Sequence, residues 1–436
     1  MARKCSLPVR PSVTDTGLSS EDGRPKEISE EKVEELALRA FIYDYCVVSM
    51  NHNLSRGFLD GLELMLHRLG LHSDLAKACM AVSFASHGIK LCRPSLTEKA
   101  ETMYHELLVS LAKALENPSV ANSAESLMIT TILGLYEMIM AREAHSGYHR
   151  THAGGVAALL CIRSSPLDLL AAVRGGLPPI WKGVVRGHDV FYIPCSDNAY
   201  QSLDDLLIKS GVLLERADVM LANSQSDSID LRILRNEATV LSREFIRWQD
   251  AQVDHFKPTA IGCVSQGRTD SVASVGLWPG QIDAYFDLYV AAVWNTFRAV
   301  RLQLIALTLD LSKAVNDDQD DTCEQLDAHR LLQDMISSIP YHLTEDLHGF
   351  LRAVEKNTVV MHAGRDVGGL LLMHPLYIVS KLLIVPPQMR DYMRSCLTWI
   401  GESMGIGQAS LFAKDTEFRK DYLTSGCMLA YAGLLL

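Results

Sequence analysis

Apolar side chains recur every three or four residues between Leu231 and Trp248, and this spacing constrains the fold more than any other feature. The positions are Leu231, Leu234, Ala238, Leu241, Phe245 and Trp248. Such spacing places one apolar stripe along an α-helix, whereas a half-buried strand alternates apolar and polar residues. A second helical run contains Met103, Leu107, Leu111 and Leu115, and the best strand candidate is VFYIP at 190–194. The pattern predicts an all-α fold, either a large multi-helix bundle or a helical array with irregular loops.

Polar segments divide the chain. Residues 1–28 are polar and proline-containing, which predicts a disordered N-terminal tail. We expect the first helix to follow Ser29 as its cap, and Ser95 with Glu98 to form a capping box. Segments 175–198 and 258–280 are rich in Gly, Ser and Pro and predict loops. Because neither loop marks a clear boundary, residues 29–436 are expected to form one helical domain.

The charge balance argues against one class of function. The chain has 41 Lys and Arg against 52 Asp and Glu, a formal net charge of −11. Phosphate binding needs clustered Lys and Arg, so bulk electrostatics argue against direct binding to duplex DNA. The 10 cysteines are scattered without a C-x-x-C pair. This usage suits small reduced core residues and argues against a disulfide framework or a structural zinc site.

No segment predicts membrane insertion. The N-terminus lacks the apolar core of a secretory signal. The longest apolar run, GGLLLMHPLYIVSKLLIVPP, is interrupted by His374, Pro375 and Lys381. It is therefore predicted to be a buried helix rather than a membrane span.

Three histidines lie in the stretch YEMIMAREAHSGYHRTHAGGVAALLCIR, from Tyr136 to Arg163. On one continuous helix, His145, His149 and His152 would share a face and could bind a metal, as the histidines of H-E-x-x-H do. No acid stands between His145 and His149, and the Ser-Gly pair after His145 suggests that a helix starts there. The pattern favours helix packing over a metal site, and no cofactor is predicted.

An acidic cluster, DDQDD, gives the second candidate site. Asp317, Asp318 and Asp321 fit the pattern D-D-x-x-D, which resembles the magnesium and diphosphate motif of helical isoprenoid synthases. The cluster follows a long helical pattern and lies in a polar connector, without the second metal-binding set of those enzymes downstream. A solvated acidic loop is the preferred interpretation. The chain also lacks G-x-S-x-G, the P-loop pattern, and G-x-G-x-x-G after a strand.

Four segments, in order, resemble the fungal-specific transcription factor domain. The first contains Tyr136, Glu137, Ser146, Tyr148, His152, Gly155, Leu159, Leu160 and Arg163. WNTFRAVR contains Trp294, Asn295, Arg298 and Arg301, and DMISSIPYHL contains Ile336, Ser338, Ile339 and Pro340. The C-terminal segments contain Pro375, Leu376, Gly405, Ile406, Gln408 and Ala409. In fungal regulators this large helical region follows a six-cysteine binuclear zinc cluster.

The resemblance implies a non-enzymatic transcriptional regulator or co-regulator of a fungal metabolic or secondary-metabolite gene set, present in the nucleus and cytoplasm. The implied partners are other transcription regulators or a second copy, as a heterodimer or homodimer. A small-molecule effector is a further expectation, because a helical body of this size can hold an apolar pocket.

The sequence departs from the family in its DNA-binding module. Two zinc ions that share thiolates need six closely spaced cysteines, and only Cys5 precedes Ser29. Either the zinc cluster lies upstream of the sequence, or the chain is a stand-alone regulatory domain. In both cases the chain as given is expected not to bind DNA specifically. The remaining alternative is a metabolite-transforming enzyme, isoprenoid-type or other, on a repurposed regulator scaffold, with DDQDD as its site.

Overall fold

The structure, a computed structural model, describes residues 29–121, 123–142, 152, 203–222, 227–265, 274–315, 322–356, 358 and 360–414. Within these ranges the chain forms fourteen α-helices and one two-stranded sheet, which confirms the all-α prediction. None of the helices in this part of the chain has the length and apolar character to cross a bilayer. The predicted tail, the loop at 175–198 and the strand candidate at 190–194 lie outside the described residues.

The first six helices form one group, in which the third is in contact with four of the other five. They are α1 (Glu30–Tyr45), α2 (Leu62–Leu69), α3 (Asp74–Lys90), α4 (Pro94–Leu115), α5 (Pro118–Ala121) and α6 (Ala124–Met140). Helix α3 contacts α1, α4 and α6, and small side chains fill most of its buried positions. Small residues let neighbouring helices approach closely, so this layer is compact.

The predicted helix starts are correct in position but wrong in capping chemistry. Helix α1 begins directly after Ser29, yet the Ser29 side chain makes no capping hydrogen bond. Helix α4 begins at Pro94, so Ser95 lies inside the helix and the capping box with Glu98 does not form. Proline suits the first helical position because it has no N–H to leave unpaired. The proline, rather than the serine, defines this helix start.

The second half of the chain is built around one long buried helix. Its elements are α7 (Leu203–Ala222), α8 (Ser228–Asp250), β1 (Thr259–Val264), β2 (Gly280–Ala284), α9 (Leu288–Ala314), α10 (Thr322–Leu343), α11 (Leu347–Glu355), α12 (Asp366–Lys381), α13 (Pro387–Ser403) and α14 (Gly407–Lys414). Helix α9 contacts α7, α8, α10 and α12. The apolar stripe of α8 is confirmed, since all six of its predicted positions are buried.

The prediction of a loop at 258–280 is wrong at its two ends. Residues Thr259–Val264 pair antiparallel with Gly280–Ala284, with an irregularity between Ala260 and Gly262. Only Val264 of β1 is buried, and the other five residues are exposed or half-buried, so the strand lacks the apolar alternation that a sequence pattern would show. Helix α11 packs against β1 and buries Val264 and Ile282 in a small separate cluster.

Helix α12 connects the two halves because it contacts α1 as well as α9 and α10. The predicted buried helix in this segment is confirmed, with Pro375 inside it. A glycine permits the close crossing with α10: a Cβ on Gly368 would lie 1.9 Å from the His342 carbonyl oxygen. Any larger side chain would push the two helices apart.

Candidate functional site

The one described histidine of the predicted cluster is a packing residue. His152 Nε2 lies 3.1 Å from the Tyr104 hydroxyl, which donates its hydrogen to Glu137 Oε1. Since that hydroxyl has only one hydrogen, His152 Nε2 must be the donor to its oxygen. The Tyr104 ring stacks on Tyr136 with centroids 4.3 Å apart. Burial lowers the pKa of His152 to about 4, so its ring is neutral near pH 7.

The other two histidines of the cluster, His145 and His149, lie outside the described residues, and so do the motif residues Gly155 and Arg163. So do Asp317, Asp318 and Asp321. Among the described residues, no group of three or more His, Cys, Asp or Glu side chains is placed to hold a metal ion. The structure therefore does not test the DDQDD site.

Two of the four motif segments meet in the protein interior. Asn295, on α9, donates a hydrogen bond from Nδ2 to Ser338 Oγ on α10 at 2.9 Å. The Ser338 hydroxyl in turn donates to the Met335 carbonyl oxygen at 2.6 Å. Asn295 Nδ2 also lies 3.1 Å from His342 Nε2. Each group is buried, and a buried polar group must find a partner. These hydrogen bonds fix α9 against α10.

His342 extends the network to α12. Its Nδ1 lies 3.2 Å from the Gly368 carbonyl oxygen, so Nδ1 carries the hydrogen and Nε2 accepts from Asn295. Burial lowers the pKa of His342 to about 4, and the ring is neutral near pH 7. Pro340 is buried two residues before it in α10. One side chain therefore joins three helices.

The motif arginines are buried in different surroundings. Arg298 donates from Nη1 to the Tyr285 hydroxyl at 2.9 Å and to Asn295 Oδ1 at 2.8 Å, with only 2% of the residue exposed. Arg301, one turn later, forms an ion pair with Asp327 of α10. Trp294 donates from Nε1 to the Phe256 carbonyl oxygen at 2.7 Å. All three side chains thus hold α9 in place.

Of the remaining motif residues, Pro375 and Gln408 are buried in α12 and α14. Gln408 follows the turn between α13 and α14, where Gly405 has a φ of 71°. A positive φ of this size favours glycine. These residues belong to the packing of the closing helices.

A buried ionic cluster that the sequence did not predict surrounds Asp366, the first residue of α12. Asp366 Oδ2 accepts hydrogen bonds from Lys90 Nζ at 2.8 Å, Ser86 Oγ at 2.8 Å and Tyr45 OH at 3.2 Å. Burial and the neighbouring Asp366 raise the pKa of Asp44. No sequence signal could reveal the cluster, because its members come from three distant helices.

One cavity among the described residues has a volume of about 870 Å³ and lies between α7, α9, α10 and the segment after α12. Its inner wall is buried α9, which contributes Gln303, Ala306 and Leu307. A volume in this range is typical of sites for small organic molecules. An apolar pocket was expected from the size of the helical body, but its position could not be predicted, since its walls come from four separated segments.

A smaller cavity of about 400 Å³ is lined by charged groups and by the motif residues Trp294 and Arg298. Burial raises the pKa of Asp283 in its wall, and Gln281 donates to Asp283 Oδ1 at 2.6 Å. Asp283 and Arg298 both face this space, but they form no direct ion pair among the described contacts. The cavity is a polar space beside α9, the helix that contains Trp294 and Arg298.

The polar clusters of the described residues join helices to one another, including the buried one in which the Ser86 hydroxyl donates to the Asp366 carboxylate. This interior defines a helical scaffold protein, and its described part contains cavities of about 870 and 400 Å³.

The chain belongs to the family of the transcription factor dbaG of Emericella nidulans. The two sequences are 49% identical over 418 residues, which cover 95% of this chain and 100% of the relative. No family model matches the chain, and no solved structure matches it.

Proposed function

We propose that the chain is a nuclear transcriptional regulator of the fungal-specific transcription factor domain type, acting on a metabolic or secondary-metabolite gene set. The observation that carries the proposal is its identity of 49% with a transcription factor over nearly its whole length. The burial of Trp294, Asn295, Arg298 and Arg301 supports the domain assignment, because the motif residues then serve the fold. No observation within the described residues favours the enzyme alternative.

The regulator acts through protein contacts rather than through its own contacts with DNA. The formal net charge is −11, and many described cations are already paired with acids. The pairs are Arg39–Glu35, Lys99–Glu30, Lys209–Glu244, Arg216–Glu237, Lys257–Asp254, Lys313–Asp310, Arg352–Asp346 and Arg394–Asp391. DNA binding draws on unpaired Lys and Arg that displace counterions, so such a surface is poorly suited to it.

Helix α8 supplies a surface for these contacts. Ile229, Ile233 and Val240 are spaced by four and seven residues, so they share one face of the helix. Their exposed fractions are 62%, 52% and 46%, and the buried stripe of α8 lies on another face. An exposed apolar stripe of this kind suits a groove on a partner protein. The partner in this proposal is another transcription regulator or a second copy of the chain.

A DNA titration tests the division of roles. Fluorescence anisotropy of promoter fragments with the purified 436-residue chain, at physiological salt, should give only weak binding, on the order of 10⁻⁴ M or weaker, without discrimination between fragments. Sequence-selective binding that appears only after a zinc-cluster protein is added would support the proposal. Sub-micromolar, selective binding by the chain alone would overturn it.

Gene deletion tests the regulatory function itself. Transcripts of one gene set should change in the deletion strain and return with the wild-type gene. They should not return with Ile233→Lys, whereas Arg232→Lys, one position away and also exposed, should restore them. Unchanged transcripts together with the loss of one metabolite step would refute the regulator and favour an enzyme.

A further inference from the structure

We propose that the 870 Å³ cavity between α7, α9, α10 and the segment after α12 binds one mainly apolar small molecule with a hydroxyl or N–H group at its inner end. The cavity and its lining residues support this binding site independently of the regulatory function proposed above.

The inner wall carries an unsatisfied hydrogen-bond acceptor. Gln303 is only 5% exposed, and its Oε1 atom has no hydrogen-bond partner among the described residues. A buried carbonyl without a partner costs free energy, so such a group calls for an explanation. Gln303 lines the cavity, and the terminal torsion of glutamine is broad, so its amide can turn toward a bound donor at low cost. A ligand hydroxyl or N–H would supply the missing hydrogen bond.

The walls around Gln303 are apolar. Leu307 of α9 and Ala328 and Leu332 of α10 are buried and face the cavity, and Leu382 and Ile384 line it from the segment after α12. Polar groups without partners would be costly against such walls. The body of the ligand is therefore hydrocarbon, aromatic or aliphatic, rather than a sugar or a nucleotide.

The rim is charged and open to solvent. Lys313 and His329 lie there beside Asp218 and Asp310, so neither sign of charge dominates. Leu383, also at the rim, is 85% exposed, which shows that the cavity reaches the surface. A rim that carries charges of both signs does not favour a ligand with a strong net charge, whereas a rim with charges of one sign would favour an ionic ligand. The inner hydrogen bond, rather than a rim ion pair, sets the specificity.

The probe pair 1-hydroxypyrene and 1-methoxypyrene tests the donor requirement. Both are rigid, apolar and fluorescent, and only the first can donate a hydrogen bond. Titration of the full chain, followed by probe anisotropy, should saturate at one hydroxypyrene per chain. The methoxy compound should bind about tenfold more weakly, because it leaves Gln303 unpaired. Equal affinity for the two probes, or binding that does not saturate, would overturn the proposal.

Substitutions of lining residues test whether the probe binds in this cavity. Gln303→Leu should remove the preference for hydroxypyrene while keeping apolar binding. Ala306→Phe and, separately, Ala328→Phe should fill the cavity and weaken both probes about tenfold or more. Val240→Phe, on the exposed face of α8 and outside the lining, adds the same aromatic group as a control. Circular dichroism identifies any variant that does not fold. A preference that persists in Gln303→Leu, or binding unchanged in a folded cavity-filling variant, would show that the probe binds elsewhere.

Discussion

Lys90 Nζ, in the last turn of α3, donates a hydrogen bond to Asp366 Oδ2, at the start of α12, at a distance of 2.8 Å. The two residues are 276 positions apart in the chain. The Asp366 side chain is 3% exposed, and Ser86 and Tyr45 donate to the same oxygen. The cluster therefore connects α1 and α3 of the first half with α12 of the second.

Asp366→Leu should lower the free energy of unfolding by about 3 kcal/mol, because it leaves a half-buried ammonium and two buried hydroxyls without their shared acceptor. Urea unfolding followed by circular dichroism measures the loss. Glu35→Gln is the matched control. It breaks the exposed pair with Arg39, whose side chains are 39% and 73% exposed, and should cost less than about 1 kcal/mol. Similar costs for the two variants would contradict a special role for Asp366.

Asn295→Leu should cost about 3 kcal/mol, because Asn295 is fully buried and three partners, Ser338, His342 and Arg298, lose its hydrogen bonds. Thermal and urea unfolding provide the measurement. Thr308→Val, also buried in α9, removes a hydroxyl that bonds only to the Leu304 carbonyl within its own helix. Because that bond is local, about 1 kcal/mol or less is expected. The network assignment fails if Asn295→Leu is no more costly than this control.

The pH dependence of stability should carry a contribution from His342. Its pKa is about 4 in the folded protein against an ordinary value of 6.5, so the unfolded chain takes up the proton first as the pH falls. The stability from the neutral ring is full above pH 6.5 and is lost progressively down to about pH 4, at up to about 1.4 kcal/mol per pH unit.

Buried carboxyls such as Asp44 and Asp283 have raised pKa values and act in the opposite direction over part of this range. The contribution of His342 is therefore measured as the difference between the wild type and His342→Gln. Urea unfolding at half-unit steps from pH 7.5 to 4 should show a steeper acid loss in the wild type. Parallel curves would contradict the prediction.

The cysteines should separate into two reactivity classes. Cys46, Cys79 and Cys396 are buried, and burial raises the pKa of the Cys46 and Cys396 thiols to about 12. Cys92, Cys263 and Cys323 are exposed, so the prediction of core cysteines holds for only half of the described ones. At pH 8, alkylation followed by peptide mass mapping should label the exposed set within minutes, since only the thiolate reacts. The buried set should react only on unfolding. Early labelling of Cys79 would indicate local opening of α3.

The sequence by itself determined the helices in which apolar side chains recur on one face. The stripe of α8 was correct at every position because 3.6 residues per turn places those side chains on one side regardless of what they contact. The sequence also identified the motif residues of α9, which are Trp294, Asn295, Arg298 and Arg301. The sequence did not predict that these residues form a buried hydrogen-bond network, since helical spacing does not determine which polar groups become partners.

Only the tertiary structure decided the contacts between distant segments. The hairpin β1–β2 was missed because neither strand alternates buried apolar with exposed polar side chains. Strand β1 buries only Val264, β2 buries the adjacent Ile282 and Asp283, and the pairing itself is an interaction of the backbone. The Asp366 cluster needs helices from both halves of the chain, and the Gln303 cavity needs four separated segments of the second half. The spacing of apolar residues along the sequence predicts which face of a helix is buried. Which helix covers that face, and which gap remains beside Gln303, depends on how all the helices pack at once.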